Sequence, residues 1–396
     1  MERDFTMTTA TIPISTREKI VSRTLLQQLT AGSFAFIAFT GLARPTLLTI
    51  FEFVAILILA INYKAILYSQ PIKRAWLFLA LNLLAFGLHI SQPDIPIKNA
   101  YIFIEAGLSC TIIASLLSVM KINGQSYKEA TKPYIFGVAI SSIFALGILL
   151  MPSLADLPIT TIEIRNTSRN SGLSNHSNLL GLHAGIALLL LQTTSVTTKT
   201  KLVLGSFAVL GISLSASRSA ILFLIVSLLI MLVISQKGKQ RRQVIKSLAV
   251  LSIASFIFVS YSEQGEYIWQ RLSGNTGVTG DAERFELFQI GLENVQNHWL
   301  LGSAYEGRLF HNIYLTYLGV LGVIGLISLL IFFSTSIFTT YKKLDTAESR
   351  TALAIMLSLL ITLLFHNAVA EPVIWFVFLS PFLIKSEIDQ DPSYAK

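Results

Sequence analysis

The sequence predicts an all-α, polytopic integral membrane protein with about 12 transmembrane helices. Three observations lead there. Of 396 residues, 53% are hydrophobic and only 13% are charged, roughly half the charged share of an average soluble domain. The mean hydropathy is +0.65. Several apolar runs approach twenty residues, the length a helix needs to cross a bilayer core. A closed membrane barrel would instead show short alternating segments, which this chain lacks.

The formal net charge is +8 and the sequence pI about 9.5. In a soluble protein that balance would point to nucleic acid. Here the basic residues crowd the segments expected on the cytoplasmic side, as the positive-inside rule describes, so no nucleic-acid partner is expected and the surrounding partners are membrane lipids. Cys110 is the single cysteine, so no intramolecular disulfide can form. The first apolar run follows Arg17, Lys19 and Arg23 and has no small-residue cleavage site behind it. It reads as a retained helix, not a removed signal peptide.

Taken in order, spans are expected at about 25–42, 46–61, 75–90, 100–120, 133–151, 177–193, 202–215, 220–235, 247–261, 312–338, 351–365 and 372–384, each bound good to a few residues. Arg44-Pro45 makes a turn between the first two, because the residue before proline avoids the helical region. Pro93 and Pro96 mark the turn after the third. Twelve spans put both termini on the same, cytoplasmic side. The charges agree: of 30 Lys and Arg, the outer segments hold 8, namely Arg44, Lys98, Arg165, Arg169, Arg218, Arg271, Arg284 and Arg308. The other 22 fall on inner segments, the densest being 237–246 with Arg241 and Arg242. The whole chain, 1–396, reads as one transmembrane domain with an outer loop at 152–176 and a larger one at 263–311.

The larger loop contains a helical stretch at about 283–297. Phe285, Phe288, Leu292 and Val295 recur at three- and four-residue spacing and define one apolar face. Asp281 and Glu283 suit its start, as cap and as acid near the positive end of the helix dipole. Such a helix would lie along the membrane surface or pack on the spans.

Four places carry residues suited to chemistry. Arg218 stands between two apolar stretches with only Ser215, Ser217 and Ser219 around it. An ionisable group there is a functional candidate; the plainer alternative is an interfacial arginine snorkelling to headgroups. Arg284 opens the loop helix. A guanidinium suits phosphate because its planar fork donates two hydrogen bonds while staying charged; the alternative is a solvated ion pair with Asp281, Glu283 or Glu286. His311 precedes Asn312 and the glycines Gly319, Gly322 and Gly325. An imidazole at a helix end can take a proton from a hydroxyl near neutral pH, and the glycines permit close approach of another backbone or a lipid chain. Glu371 stands before Pro372, with His366-Asn367 nearby, and could orient a base or pair with an outer arginine. His176 and His183 lack acidic or thiol companions at ligand spacing, so no metal and no cofactor is expected. No phosphate-cradling glycine loop of the nucleotide type is present.

These stretches resemble the bacterial O-antigen ligase family, within the wider group of O-antigen polymerases and ligases. Leu214-Ser215-Ala216-Ser217-Arg218-Ser219-Ala220 is similar to the family's short arginine motif at a span junction. Glu283-Arg284-Phe285 with Ile290-Gly291-Leu292 is similar to the start of its loop helix. His311-Asn312, followed by Gly322-Val323-Ile324-Gly325, resembles its histidine motif. Glu371 falls where such ligases carry an aspartate, before Val373-Ile374-Trp375.

The resemblance implies a membrane-embedded (GT-C-like), metal-independent, inverting glycosyltransferase. It would move a glycan from undecaprenyl diphosphate to a lipid A–core oligosaccharide at the periplasmic face of a Gram-negative inner membrane. Catalysis would rest on His311, Arg218 and Arg284, with Arg218, Arg284, Arg308, Asn312 and Glu371 binding diphosphate or acceptor. An O-antigen polymerase or a protein O-oligosaccharyltransferase would use the same donor. A transporter or flippase of a charged lipid would instead need ionisable groups near the midplane, for which Glu52 and Glu105 are the candidates.

Overall fold

Where residues 33–38 meet the eight residues that follow Glu371, aromatic side chains from five segments interlock. The computed structural model describes residues 24–40, 50–61, 70–90, 101–156, 170–174, 176–235, 238, 241–242, 244–246, 269, 280–303, 310–366 and 371–385. After a helix over 24–32 and a tighter 3-10 turn at Ser33–Ala38 come α1 (Ile50–Ile61), α2 (Gln70–Ile90), α3 (Tyr101–Ile122) and α4 (Tyr127–Leu150). Next are α5 (Ser177–Leu190), α6 (Thr198–Ser215), α7 (Arg218–Ile234) and α8 (Gly280–His298). The last are α9 (Ile313–Tyr341), α10 (Ala347–Thr362) and α11 (Pro372–Leu379), which ends in a 3-10 turn at Ser380–Leu383. No strand occurs among the described residues.

Four of these helices, α2, α3, α4 and α9, are long and apolar enough to cross a membrane, and the apolar parts of α1, α5, α7 and α11 are shorter. Their outward faces are apolar too. On α7, Ile225, Leu229 and Val233 recur every four residues and are 47%, 51% and 84% exposed. Such a stripe suits contact with lipid tails and not with water. The chain is thus all-helical and built as a multi-pass membrane protein. The ninth expected span, 247–261, lies outside the described residues, as do Arg44 and Pro45.

Local chemistry moves several expected boundaries. α4 starts at Tyr127, six residues before Pro133, because Ser126 and Glu129 form a capping box. The Glu129 carboxylate accepts from the Ser126 amide at 2.6 Å and from its hydroxyl at 2.8 Å, satisfying amides that the first turn leaves open. Lys128 and Lys132 therefore sit on helix and not in a loop. The expected last span is α-helical only to Leu379, and Pro381 sits in the 3-10 turn beyond.

All eight residues of α11 are buried, and it acts as the axis of the bundle. Trp375 packs against Phe78 of α2 at 5.0 Å and edge-on against Phe332 of α9 at 5.5 Å between ring centroids. Phe376 meets Phe34 and Tyr134, each at 5.2 Å. Phe378 stacks on Phe333 at 4.2 Å. Around this axis α2 packs on α3 and α9, α5 on α6, and α7 on α5 and α10.

α9 contains the main irregularity. Gly322 has φ 67° and ψ −165°, a region open essentially to glycine alone. In an unbroken helix the Val323 amide would donate to the Gly319 carbonyl. Here Val323 donates to Leu300 O at 3.2 Å, and Gly319 O accepts from the Ser303 amide at 2.7 Å. Asn294 of α8 donates to the same carbonyl at 3.1 Å, and the Ser303 hydroxyl bonds to Asn294 Oδ1. The segment after α8 is thereby threaded into the gap in α9. It approaches so closely that a Cβ on Gly322 would lie 2.3 Å from Leu300 O, and one on Gly302 2.2 Å from Val320 O. The close approach of another backbone that the sequence suggests for the glycines of α9 is made at Gly322 by Leu300 and Leu301, and the glycine also opens the hydrogen-bond ladder.

Gly322→Ala is expected to cost at least ~1–3 kcal/mol from backbone strain alone, before the clash with Leu300 is relieved. Thermal unfolding in detergent checks this, with Gly87→Ala as the comparison. No atom lies within 4 Å of a Cβ there, and helical alanine at that position should be neutral or stabilising by ~0.4–1 kcal/mol. Equal melting temperatures for the two variants would refute the role assigned to the break.

Candidate functional site

The turn Ser215–Ser219 positions the first arginine. Ala216 is left-handed at φ 44°, the sole positive φ outside glycine among the described residues, and it reverses the chain between α6 and α7. Ser217 caps α7: its Oγ accepts from the Ala220 amide at 3.3 Å and bonds Ser219 Oγ at 3.0 Å. The turn rests on Gly181 of α5, where a Cβ would meet Ser215 Oγ at 2.5 Å and Ala220 Cβ at 2.8 Å. Arg218 is thus the first residue of α7, half-buried, beside the partial positive charge of a helix N-terminus.

The second arginine and the histidine are held together by Phe310. Its ring is 1% exposed. It lies between Gly291 of α8 and Gly319 of α9, whose hypothetical Cβ atoms would be 3.1 and 2.8 Å from it. Helix α8 therefore lies against the start of α9, with half-buried Arg284 near its beginning. Asn312 caps α9: its Oδ1 accepts from the amides of Tyr314 at 2.9 Å and Leu315 at 3.0 Å. The Ile313 amide donates to Leu363 O at 3.1 Å, which ties the start of α9 to the end of α10. His311, just before the cap, is exposed.

These pieces enclose a cavity of about 520 Å³. Arg218, Arg284, His311 and Asn312 contribute its polar lining. Ser219 adds a hydroxyl, and Leu222, Phe285, Phe288, Phe310, Leu364 and Phe365 make the rest of the wall apolar. The sequence-derived residues Arg218, Arg284, His311 and Asn312, drawn from three separate segments, thus meet at one place. Arg308 lies outside the described residues. Glu371 is buried at 7% exposure ahead of Pro372, and it does not line this cavity.

On the loop helix, Phe285 and Leu292 are 63% and 41% exposed, whereas Leu287 is 7% exposed, and Gly291 is buried. The spacing that defines the Phe285–Leu292 face is real, and that face stays partly open, with Phe285 and Phe288 lining the cavity. The bundle is met by Leu287 and by Gly291, where Phe310 needs room.

His366 joins the site without having been singled out as a site residue. It follows α10 next to the cavity residues Leu364 and Phe365, and its Nε2 is buried without a hydrogen-bond partner. Burial first, and then the positive charges of His176, Arg284 and His311, push its pKa down to about 3. The imidazole is therefore neutral near pH 7. A sequence signal for it exists: His366-Asn367 repeats the dipeptide His311-Asn312. Gly181, which sets how closely the arginine turn approaches α5, gave no comparable signal. Among the described residues no group of three or more His, Cys, Asp and Glu side chains is placed to hold a metal ion.

Because the folded-state pKa of His366 lies below its unfolded value of 6.5, the unfolded chain binds more protons between about 6.5 and 3. Stability contributed by the neutral imidazole is full above pH 6.5 and declines as pH falls toward 3. His366→Gln, which cannot titrate, is expected to flatten the fall in melting temperature between pH 7 and pH 4 relative to wild type. Parallel curves for the two proteins would count against the assigned cause.

A search of curated proteins found no match. Residues 203–330 match the family model described as O-Antigen ligase. The matched segment contains the arginine turn, the loop helix, His311 and the break at Gly322, and this part of the chain is similar to that family.

Proposed function

We propose that the protein is an O-antigen ligase. In this reading it transfers a glycan from undecaprenyl diphosphate to the lipid A–core oligosaccharide at the periplasmic face of the inner membrane, with inversion and without a metal ion. Twelve spans with both ends cytoplasmic would place the cavity on the periplasmic side. The observation that carries the reading is the convergence of Arg218, Arg284 and His311 on one cavity with a largely apolar wall.

The chemistry follows from that lining. The donor is amphipathic, with a diphosphate between a sugar and a long hydrocarbon. Guanidinium forks beside phenylalanine and leucine match both parts. As the anomeric C–O bond breaks, its electron pair stays on the diphosphate oxygen. Arg218 and Arg284 stabilise the charge that develops there, and Arg308 is assigned the same task. The N-terminus of α7 adds its amide dipole to that of Arg218. On the opposite side of the anomeric carbon the acceptor hydroxyl attacks, and His311 accepts its proton. Asn312 spends Oδ1 on capping α9, so its contact with substrate would come from Nδ2. Glu371 supports the histidine or an arginine through the start of α11.

The test uses membranes of a ligase-deficient Gram-negative strain with a matching core, comparing wild type, His311→Ala and Arg218→Ala at equal expression. Wild type is expected to attach glycan to lipid A–core, and each variant to leave it on undecaprenyl diphosphate with a loss of at least ~100-fold. Lengthening of the lipid-linked glycan without attachment would make the protein a polymerase. Attachment that survives both substitutions would remove these residues from the site.

A further inference from the structure

Helices α5, α6 and α7 carry the arginine turn at one end and enclose a second cavity at the other. Its volume is about 530 Å³. The two spaces are distinct along α7: Arg218 and Leu222 line the first, and Leu224 and Leu228 line the second. At 1.5 Å rise per residue, Leu228 lies roughly 15 Å beyond Arg218 along the axis. The wall of the second cavity is apolar, built from leucines of α5, α6 and α7, but Lys201 and Lys246 also line it. Among the described residues neither lysine has a carboxylate partner. Neighbouring Lys128, whose charge acts on Lys201, is by contrast held by Glu348 at 2.7 Å. Gly205 lies in the wall with no atom closer than 3.9 Å to a hypothetical Cβ. Packing therefore does not demand glycine there, and a side chain would project into space that is otherwise open.

We propose that this cavity binds an anionic phospholipid of the cytoplasmic leaflet, with its phosphate between Lys201 and Lys246 and an acyl chain along the leucine wall. Two ammonium groups that line an apolar groove, with no carboxylate partner among the described residues, call for the negative charge that such a lipid brings. Basic pockets between transmembrane helices recognise anionic headgroups by this chemistry. A zwitterionic lipid carries its own ammonium group and gains little there. The site does not depend on glycan transfer; it depends on the orientation only in assigning the leaflet.

The experiment is native mass spectrometry of the purified full-length chain in nonionic detergent, with phosphatidylglycerol or phosphatidylethanolamine added at equal concentration. Wild type is expected to retain phosphatidylglycerol in preference. Lys201→Ala/Lys246→Ala should weaken that retention by about tenfold. Gly205→Leu should do the same by filling the groove without changing charge, which keeps the test alive if the double variant does not fold. Lys199→Ala removes an exposed charge from the same helix outside the cavity and should retain lipid as wild type does. Equal retention of the two lipids, wild-type binding by Gly205→Leu, or an equal loss in Lys199→Ala would each overturn the proposal.

Discussion

The interruption of α9 at Gly322 is the constraint on which the candidate site depends. A helix passing through an apolar environment cannot leave a carbonyl and an amide unpaired, because no water is there to take them. Gly319 O and Val323 N–H are both released by the break, and both are taken up by the segment following α8. The loop helix is consequently held by backbone hydrogen bonds at its far end and by Phe310 between two glycines nearer the site. Those two fixings determine where Arg284 can be. They also determine how far His311 stands from it, since Phe310 and His311 are neighbours in the chain.

A similar economy governs the arginine turn. Reversing the chain within Ser215–Arg218 needs a left-handed residue, which Ala216 supplies at some strain, and a cap, which Ser217 supplies. Gly181 then lets the turn sit flush on α5. The result places a cation at the N-terminus of α7, where the helix dipole disfavours one. Arg218, Arg284 and His311 gathered on one cavity form an arrangement that folding alone would not select. An anionic ligand makes sense of it.

Stability comes from elsewhere. Between lipid tails and a buried leucine there is little hydrophobic difference, so helices in a membrane associate through close packing and hydrogen bonds. The short, wholly buried α11 answers that need with Trp375, Phe376 and Phe378, each meeting aromatic rings from other helices. Meanwhile Ile225, Leu229 and Val233 on α7 remain outside, as apolar as the core. Inside and outside are distinguished by shape rather than by polarity.

That distinction decides what could be read from the chain. Composition and run length determined the helical membrane class, because the bilayer imposes length and apolarity directly on the sequence. The oddness of Arg218, the start of the loop helix and the His311-Asn312 pair were legible for a related reason: polar groups stand out against apolar surroundings. Spacing along the loop helix revealed an apolar face but not its direction, since lipid and protein accept the same residues and only tertiary packing turned Leu287 inward and set Gly291 against Phe310. The start of α4 was legible in principle from Ser126 and Glu129, yet Pro133 gave the louder signal. What only the tertiary structure decided is the pairing of distant parts: the stretch of backbone that fills the gap at Gly322, the nearness of His176, Arg284 and His311 to His366, and the two cavities at opposite ends of α5–α7. Each depends on contacts between residues far apart in the chain, and a local pattern carries no record of which surfaces will meet.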